Sequence, residues 1–192
     1  MSVCSSLLTH TGVVPDVRYT LFDTAIGRCA LAWGDRGVVG VQLPEGSDGT
    51  TRERIRAAFP AAVESGPDAV GRRAVEAVTE LLVSGQDPSA QVPLDLSQVP
   101  DFDARVYAVT RTITAGSTLT YGEVADRVGS PGAAQAVGQA LGRNPIPLLV
   151  PCHRVLAAGG KVGGFSAHGG AVTKRVLLAL EHVPGFDEPT LF

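Results

Sequence analysis

The spacing of apolar residues changes along this 192-residue chain, and that change limits the folds available to it. Between residues 18 and 43, short apolar stretches separated by turns at Gly27 and 34–37 predict three strands in a small antiparallel meander. Farther on, apolar residues recur at helical spacing over 51–59 and 71–83, which predicts two helices. Strands followed by helices indicate an α+β fold.

A segment rich in Pro, Ser, Gln and Asp interrupts this pattern, and we interpret it as a linker between two lobes. The predicted organisation is an irregular leader at 1–17, an N-terminal α/β lobe at 18–84, the linker at 85–100, a C-terminal lobe at 101–184 and a tail at 185–192.

The composition is that of a globular protein, since 44% of the residues are hydrophobic and 5% are aromatic. No apolar run approaches the roughly 20 residues that span a bilayer, and the first residues do not resemble a secretion signal. We therefore expect no membrane association. Three cysteines, Cys4, Cys29 and Cys152, are too few and odd in number for a disulfide framework, which predicts free thiols and a cytoplasmic location.

Charge is distributed unevenly, although the net charge is only −3. Residues 102–182 contain eight Lys or Arg and four Asp or Glu, which gives this part +4 and leaves −7 for the remainder. An excess of positive charge in one lobe is typical of a protein with a polyanion partner, although random variation produces the same count.

The C-terminal lobe is predicted to be helical. Residues 102–115 have amphipathic spacing, and Thr120 with Glu123 forms a capping-box pattern for a helix that ends near residue 128. After a Gly/Pro break, residues 133–141 predict a second short helix. Two short helices around a tight turn predict a helix-turn-helix, although ordinary helix packing gives the same pattern.

The second of these helices carries almost no side-chain bulk, because Ala133, Ala134, Ala136 and Gly138 are all small. Small residues permit close approach to another rigid surface. That surface is either a neighbouring part of the protein or the groove of a DNA duplex, and the residues alone leave both open.

Cys152 is the candidate nucleophile. Cysteine is usually an inert core residue, but Pro151 fixes the backbone before it, and the neighbouring His153 and Arg154 favour a thiolate. A free thiol has a pKa of roughly 8.5, so reaction at neutral pH requires such a base or positive field. Because adjacent residues need not point the same way, His153 acts either directly or through a bridging water. Glu181, at the end of the last predicted helix, is the acid that we expect to orient His153.

Further residues follow one another in a characteristic order around Cys152. They are Tyr121, Ala136-Val137-Gly138, Asn144-Pro145, Pro151-Cys152-His153-Arg154-Val155, a Gly-aromatic-Ser segment at 164–166, and the pair Lys174 and Glu181. In this order, over about residues 102–182, the chain resembles the O6-alkylguanine-DNA alkyltransferases. Residues 23–27 and their strands resemble the family's ribonuclease-H-like N-terminal lobe more loosely. The resemblance also implies a winged-helix-like helix-turn-helix in the C-terminal lobe.

The resemblance implies a methyltransferase that repairs DNA by moving the alkyl group of O6-alkylguanine, and by extension of O4-alkylthymine, to Cys152. The alkylated base is flipped out of the duplex, and the thiolate displaces it from the alkyl carbon. The thioether is stable, so each molecule acts once. No cofactor is implied. The implied partner is double-stranded DNA bound through its minor groove, by a monomer that associates with the nucleoid during repair.

Individual residues also receive roles from the resemblance. Tyr121 assists flipping and protonates the leaving base, and Asn144 braces the helix-turn-helix against the Cys152 segment. The carbonyls of Cys152 and Val155 accept hydrogen bonds from the guanine amino group. Phe165, Ser166 and Lys174 complete the substrate site, and the DNA-binding residues are Ala133, Ala134, Gln135, Ala136, Gly138, Arg143 and Arg154.

The sequence departs from the family pattern at its DNA-facing and pocket-facing positions. Gln135 occupies the position where relatives usually carry an arginine that fills the gap left by the flipped base. Glutamine lacks the charge and stacking plane of a guanidinium, which predicts weaker or differently selective DNA engagement. The segment 165–170 is two residues longer than the commonest family form, which predicts a larger pocket rim.

A third departure concerns zinc, which some relatives bind in the N-terminal lobe. Gly34 and Val39 stand at two of the ligand positions, so we expect no metal even though Cys4, His10 and Cys29 are present. Cys29 is then interpreted as a buried strand residue.

Two other functions fit parts of this pattern. A non-catalytic sensor of alkylated DNA would keep the fold, and Gln135 favours it, whereas the presence of Cys152 argues against it. A cysteine hydrolase would use Cys152 and His153, although no nucleophile-base-orienter order is visible beyond Glu181. Counting alkyl transfers per molecule separates the three functions, which predict one transfer, none, or multiple turnovers.

Overall fold

In the computed structural model, which describes residues 16–165 and 169–186, three strands form where the sequence predicts them. The strands β1 (Arg18–Thr24), β2 (Gly27–Gly34) and β3 (Gly37–Gln42) pair antiparallel in sequence order, which confirms the meander. A fourth strand, β4 (Val63–Glu64), pairs parallel with β1, so the sheet order is β3-β2-β1-β4. The sequence does not predict β4, because two exposed residues carry no periodicity.

Two helices, α1 (Asp48–Ala58) and α2 (Ala69–Ser84), complete the N-terminal part, and both begin with a side-chain cap. Ser47 and Asp68 each accept hydrogen bonds from backbone N–H groups of the first helical turn. These caps extend both helices toward the N-terminus by two or three residues beyond the predicted starts. The predicted helices are therefore confirmed, with earlier beginnings.

The 85–100 segment contacts both halves of the molecule. The N–H of Val38 in β3 donates to the carbonyl of Pro93 at 2.9 Å. From the other side, Arg111 donates to the carbonyl of Ser89 at 2.8 Å. The segment is thus held in place by hydrogen bonds, while the domain bounds inferred from the sequence stay a prediction.

The C-terminal part contains helices and a small parallel sheet of two-residue strands. Its elements are α3 (Asp101–Thr110), β5 (Leu119–Thr120), α4 (Tyr121–Arg127), α5 (Ala134–Gly142), β6 (Val155–Leu156) and α6 (Ala171–Leu180). The predicted capping box is confirmed, because the N–H of Thr120 donates to Glu123 Oε2 at 2.6 Å and the N–H of Glu123 donates to Thr120 Oγ1 at 3.2 Å. The strands β5 and β6 are too short for the sequence to indicate.

Helix α3 ends at Thr110 instead of continuing to residue 115 as predicted. The hydroxyl of Thr112 donates to the carbonyl of Val109 at 2.7 Å, and the backbone of Ile113 closes a tight turn onto Thr110. Threonine hydroxyls offer the backbone an alternative to helical hydrogen bonds, so they favour a helix end. The predicted length of this helix was therefore wrong at its C-terminus.

One hydrophobic core continues through both parts of the molecule. It extends from Trp33 in β2 to Leu177 in α6, and it includes Cys152. Helix α2 packs closely on β2, since a Cβ at Gly71 would lie 2.9 Å from the Trp33 ring. Within residues 16–165 and 169–186, no helix combines the length and apolarity that crossing a membrane requires.

Candidate active site

A buried segment after α5 places Cys152, and Asn144 holds that segment in shape. The side-chain N–H of Asn144 donates to the carbonyl of Val150 at 2.9 Å, and its oxygen accepts from the N–H of Ile146 at 3.0 Å. Within the segment, Leu148 has a φ of +71°, which is uncommon for a residue with a Cβ. Such a conformation persists only where the surroundings enforce it, so tertiary contacts set the path of the chain toward Cys152.

The Cys152 side chain is nearly enclosed, with 6% of the residue exposed. Burial raises the pKa of its thiol, and a hydrogen bond from Asn144 together with the nearby charge of Lys174 offsets only part of that rise. Cys152 is therefore a neutral thiol at physiological pH. It needs a base before it can act as a nucleophile, because the thiolate is the reactive form.

His153 follows Cys152 in a short 3-10 turn and is fully buried. Its Nε2 lies 2.8 Å from Oε1 of Glu181. Arg154 binds the same carboxylate, with Nε 2.9 Å from Oε2 and Nη2 2.8 Å from Oε1. Burial pushes the pKa of Glu181 upward, but the hydrogen bonds and charges of His153 and Arg154 outweigh it and lower the pKa to about 2. Glu181 is consequently ionised at neutral pH.

In the neutral imidazole form, the ionised Glu181 determines which nitrogen of His153 carries the proton. A carboxylate only accepts hydrogen bonds, so Nε2–H is the donor and the lone pair is on Nδ1. Nδ1 is buried and has no hydrogen-bond partner among the residues that the structure describes. The residue after Cys152 therefore presents a basic nitrogen that is able to accept a proton.

Lys174 of α6 and Tyr121 of α4 also meet near Cys152. The Lys174 ammonium donates to the carbonyl of Val155 at 2.6 Å and lies 5.7 Å from the centre of the Tyr121 ring. Burial lowers the pKa of Lys174, while Cys152 partly counteracts this effect. Burial, followed by Cys152, raises the pKa of Tyr121, so its hydroxyl keeps its proton at neutral pH and can donate it.

The Tyr121 ring lies between two glycines. A Cβ at Gly163 would lie 3.1 Å from the Tyr121 hydroxyl, and a Cβ at Gly138 of α5 would lie 3.8 Å from the ring. The contact at Gly163 is tighter than side chains normally make, so glycine keeps the surroundings of the hydroxyl open.

A cavity of about 170 Å³ lies beside Cys152. On the C-terminal side it is lined by Asn144, Pro147 and Phe165. Its remaining wall comes from the N-terminal part, mainly from apolar side chains of β3 and α1 and of the residues directly after them: Val41, Leu43, Ile55, Ala58 and Phe59. A largely apolar cavity next to a thiol suits a small apolar group attached to the atom under attack.

Helix α5 carries mostly small side chains on its outer surface. Gln135 is exposed, and the predicted DNA-binding residues Ala133, Ala134, Ala136 and Gly138 are half-buried beside it. Arg143 at the end of α5 is exposed as well, and its guanidinium contacts both carboxylate oxygens of Asp103 in α3 at 3.0 to 3.1 Å.

Arg154 does not lie on this surface, and the prediction that it contacts DNA is wrong. It is 1% exposed. Besides Glu181, its guanidinium binds the carbonyl of Ile113 at 2.6 Å and Asp87 at 2.6 Å. The side chain holds internal partners, because a buried guanidinium must satisfy its donors within the protein.

The structure thus brings together Cys152, His153, Glu181, Asn144, Lys174, Tyr121 and Phe165, whereas Ser166 lies outside the described residues. The carbonyl of Val155, predicted to accept from guanine, already accepts from Lys174. A carbonyl oxygen has a second lone pair, so it can accept a second hydrogen bond. Asp87 and the N-terminal wall of the cavity were missed, because nothing in local sequence indicates contacts between such distant residues.

Cys29 is fully buried in β2, which confirms its interpretation as a strand residue. Burial raises the pKa of its thiol to about 11, against a lowering hydrogen bond with Thr24. Cys4 and His10 lie outside the described residues. Within the described ranges, no three His, Cys, Asp or Glu side chains are grouped closely enough to hold a metal ion.

Comparison with known proteins links this site to one family. Residues 101–183 match the family model of the 6-O-methylguanine DNA methyltransferase DNA-binding domain. The methylated-DNA–protein-cysteine methyltransferase of Mycobacterium bovis is 48% identical over 109 residues, which are 57% of this chain and 64% of that relative. The chain therefore aligns with just under two thirds of that relative's length.

Two further comparisons extend over most of the chain. The methylated-DNA–protein-cysteine methyltransferase of Mycolicibacterium paratuberculosis is 37% identical over 180 residues, covering 92% of this chain and 99% of the relative. The crystal structure of Mycobacterium tuberculosis OGT in complex with DNA superposes with a TM-score of 0.67 at 34% identity, covering 88% of this chain and 96% of that one. Similarity of this extent shows that the chain belongs to the methylated-DNA–protein-cysteine methyltransferase family.

Proposed function

We propose that this protein repairs DNA by moving the alkyl group of O6-alkylguanine in a duplex onto Sγ of Cys152. The observation that carries the proposal is a buried thiol followed by His153, whose Nε2 is held 2.8 Å from the ionised Glu181. Family membership and the DNA-bound structure of the M. tuberculosis protein support an alkylated duplex as substrate.

The reaction begins when the Cys152 thiol gives its proton, through a bridging water, to Nδ1 of His153, the nitrogen that carries the lone pair and that has no direct hydrogen bond to the thiol. The thiolate then attacks the alkyl carbon, so that an S–C bond forms while the C–O6 bond breaks and its electron pair stays with guanine. Tyr121 donates a proton to the leaving base and recovers one from His153. The net result is the transfer of one proton from the thiol to guanine, and the balance requires no cofactor.

Each molecule acts once under this proposal. The product at Cys152 is an alkyl thioether, and its C–S bond is not activated for attack by water. A base such as His153 cannot activate water strongly enough to cleave it. The protein is therefore consumed by the reaction.

The cavity beside Cys152 receives the alkyl group. The flipped base occupies the space next to Tyr121, and the substituent on O6 points toward Pro147, Phe165 and the apolar wall from the N-terminal part. Its volume of about 170 Å³ fits small substituents better than bulky ones.

Helices α4 and α5 form the surface that engages the minor groove, in a winged-helix-like helix-turn-helix. The half-buried small residues of α5 allow the helix to approach the duplex closely, and the exposed Gln135 faces the gap that the flipped base leaves. Flipping costs a few kcal/mol of unstacking, part of which Gln135 offsets through hydrogen bonds to the unpaired partner base. The sheet with α1 and α2 corresponds to a ribonuclease-H-like lobe.

A direct test compares the wild type with Cys152→Ser on a duplex containing O6-methylguanine. The wild type is expected to transfer one methyl group per molecule and then stop. The Cys152→Ser variant should transfer none while binding the duplex with unchanged affinity, because the groove-facing surface is retained. Binding without transfer by the wild type would identify a damage sensor instead, and repeated turnover would indicate a hydrolytic enzyme.

A further inference from the structure

Asp87 reaches the candidate active site from the segment that joins the two parts of the molecule. Its Oδ2 lies 2.6 Å from Nη1 of Arg154, which is itself buried. Its other oxygen accepts from the N–H of Ser89 at 2.9 Å. Both carboxylate oxygens are therefore engaged, and the side chain is held in one orientation.

The chain can bring Asp87 to this place because α2 and α6 end against each other. Gly85 follows α2 with a φ of +71°, in the left-handed region that favours glycine. A Cβ at Gly85 would collide with the carbonyl oxygen of Leu180, the last residue of α6. The residue after Leu180 is Glu181, so this close approach places the two acids on either side of Arg154.

Asp87 adds more to Arg154 than a hydrogen bond. Two guanidinium nitrogens donate to Glu181, and Nη1 donates both to the carbonyl of Ile113 at 2.6 Å and to Asp87. The second carboxylate on this guanidinium also adds a negative charge. In a buried site, where charges interact strongly, that charge affects every neighbouring proton transfer.

Asp87 offsets part of the positive charge around the Cys152–His153 pair. Glu181 and Asp87 are negative, whereas Arg154, Lys174 and Arg111, whose charge interacts with Asp87, are positive. Without Asp87 the surroundings of the pair would be more positive by one charge. An imidazolium at His153 would then add a like charge to a positive surrounding, which is unfavourable.

We propose that Asp87 is a positioning residue of the alkyl transfer, whose negative charge acts through Arg154 and Glu181 to let His153 hold the thiol proton. The role rests on the proposed function. It makes the segment between the two parts of the chain a contributor to the chemistry at Cys152.

The chain offers a closely matched control in Asp95. Both side chains are 11% exposed and both bind an arginine, but Asp95 binds the exposed Arg36. Both also accept from the N–H of the serine two residues later. Asp87→Asn and Asp95→Asn each remove one charge while leaving an oxygen acceptor, so they differ mainly in which arginine is affected.

The experiment measures the rate constant of methyl transfer from an O6-methylguanine duplex between pH 5.5 and 9, in the wild type, Asp87→Asn, Asp87→Glu and Asp95→Asn. We expect Asp87→Asn to lower the plateau rate about tenfold, the effect of roughly one unit of proton affinity. Its acid limb should move to lower pH, because His153 without the nearby negative charge is protonated less readily before the thiol reacts. Asp87→Glu keeps the charge and should keep the acid limb in place, and Asp95→Asn should match the wild type.

Several results would overturn the role. A lower rate of Asp87→Asn at every pH with an unmoved acid limb would mean that Asp87 only supports the structure. An equal shift in Asp95→Asn would indicate a general effect of surface charge. If the wild type transfers no methyl group, the proposed function itself fails and this role with it, whereas normal transfer with an unchanged Asp87→Asn profile refutes the role alone.

Discussion

The carboxylate of Glu181 binds both His153 and Arg154. One oxygen contacts both His153 and Arg154, and the other contacts Arg154 alone. A buried ion pair adds little net stability, because desolvation of the two charges consumes most of the attraction. The value of the Arg154 contact lies instead in geometry, since it fixes the carboxylate against which His153 is oriented.

Replacing Glu181 by glutamine tests this arrangement at the level of one residue. The amide can donate to His153 as well as accept, so the tautomer with the lone pair on Nδ1 is no longer enforced, and the imidazolium loses its counter-charge. We expect the rate constant of methyl transfer to fall at least about 100-fold, the lower end of the range for general acid–base catalysis. Quenched time courses with O6-methylguanine duplex measure this rate constant. The control is Glu76→Gln, on the exposed side of α2. A loss of less than threefold would refute the role of Glu181.

Gln135 stands where the family resemblance implies an arginine, and Gln135→Arg tests its placement. A guanidinium stacks and is attracted to the phosphate-rich duplex, so it should offset more of the unstacking cost than glutamine does. Repair of duplex DNA is expected to become faster, while reaction with the free base O6-benzylguanine should change much less. Both second-order rate constants are compared with those of Gln139→Arg, one turn farther along α5. Equal gains on both substrates would place Gln135 away from the flipped base.

At the scale of elements, long periodic segments were predictable and short ones were not. The meander, the helices α1 and α2 and the capping box of α4 follow from periodicity and caps that lie within a few neighbouring residues. The two-residue strands β4, β5 and β6 carry no such signal, because their pairing partners are far away in the chain. The same reason explains the site: Cys152, His153 and Glu181 were identified from the sequence, whereas the partnership of Asp87 with Arg154 depends on how α2 and α6 meet.

The amide side chain of Asn144 holds the conformation of the segment between α5 and Cys152. The substitution Asn144→Ala tests how much this contribution is worth. It leaves the carbonyl of Val150 and the N–H of Ile146 buried without a partner, which costs about 2 kcal/mol or more of unfolding free energy. Transfer should slow as well, because Asn144 lowers the pKa of the Cys152 thiol. Urea unfolding and transfer assays measure both effects. Gln139→Ala on the exposed side of α5 is the control, and stability equal to that control would contradict the account.

At the scale of the whole molecule, the two parts share one core and one cavity. Phe59 of the N-terminal part and Phe165 of the C-terminal part line the same space beside Cys152, and Asp87 links the joining segment to Arg154. The N-terminal part therefore contributes cavity walls, and the joining segment contributes a charge, to a site whose proposed reacting groups come from the C-terminal part. Its contribution was not predictable, because cavities form between elements and leave no local pattern.

The buried acid network predicts how the stability of the molecule depends on pH. The pKa of Glu181 is about 2 in the folded protein, against an ordinary 4.5, so its ionised form stabilises the fold above about pH 4.5. As pH falls from 4.5 toward 2 that stabilisation, up to about 3 kcal/mol, is lost. Urea unfolding at pH 6 and pH 3 should show a steeper loss for the wild type than for Glu181→Gln. The quantity compared is the change in unfolding free energy between the two pH values, since the variant is less stable at both. An equal change in the two proteins would contradict the assigned pKa shift.

The most direct test of the account is to find where the methyl group goes. The protein is incubated with an excess of duplex DNA containing O6-methylguanine, and its intact mass and proteolytic peptides are then measured by mass spectrometry. The account predicts a mass increase of one methyl group, located on the peptide that contains Cys152, with no further increase at longer times. A methyl group on Cys4 or Cys29, or an unmodified protein after the DNA has been repaired, would contradict it.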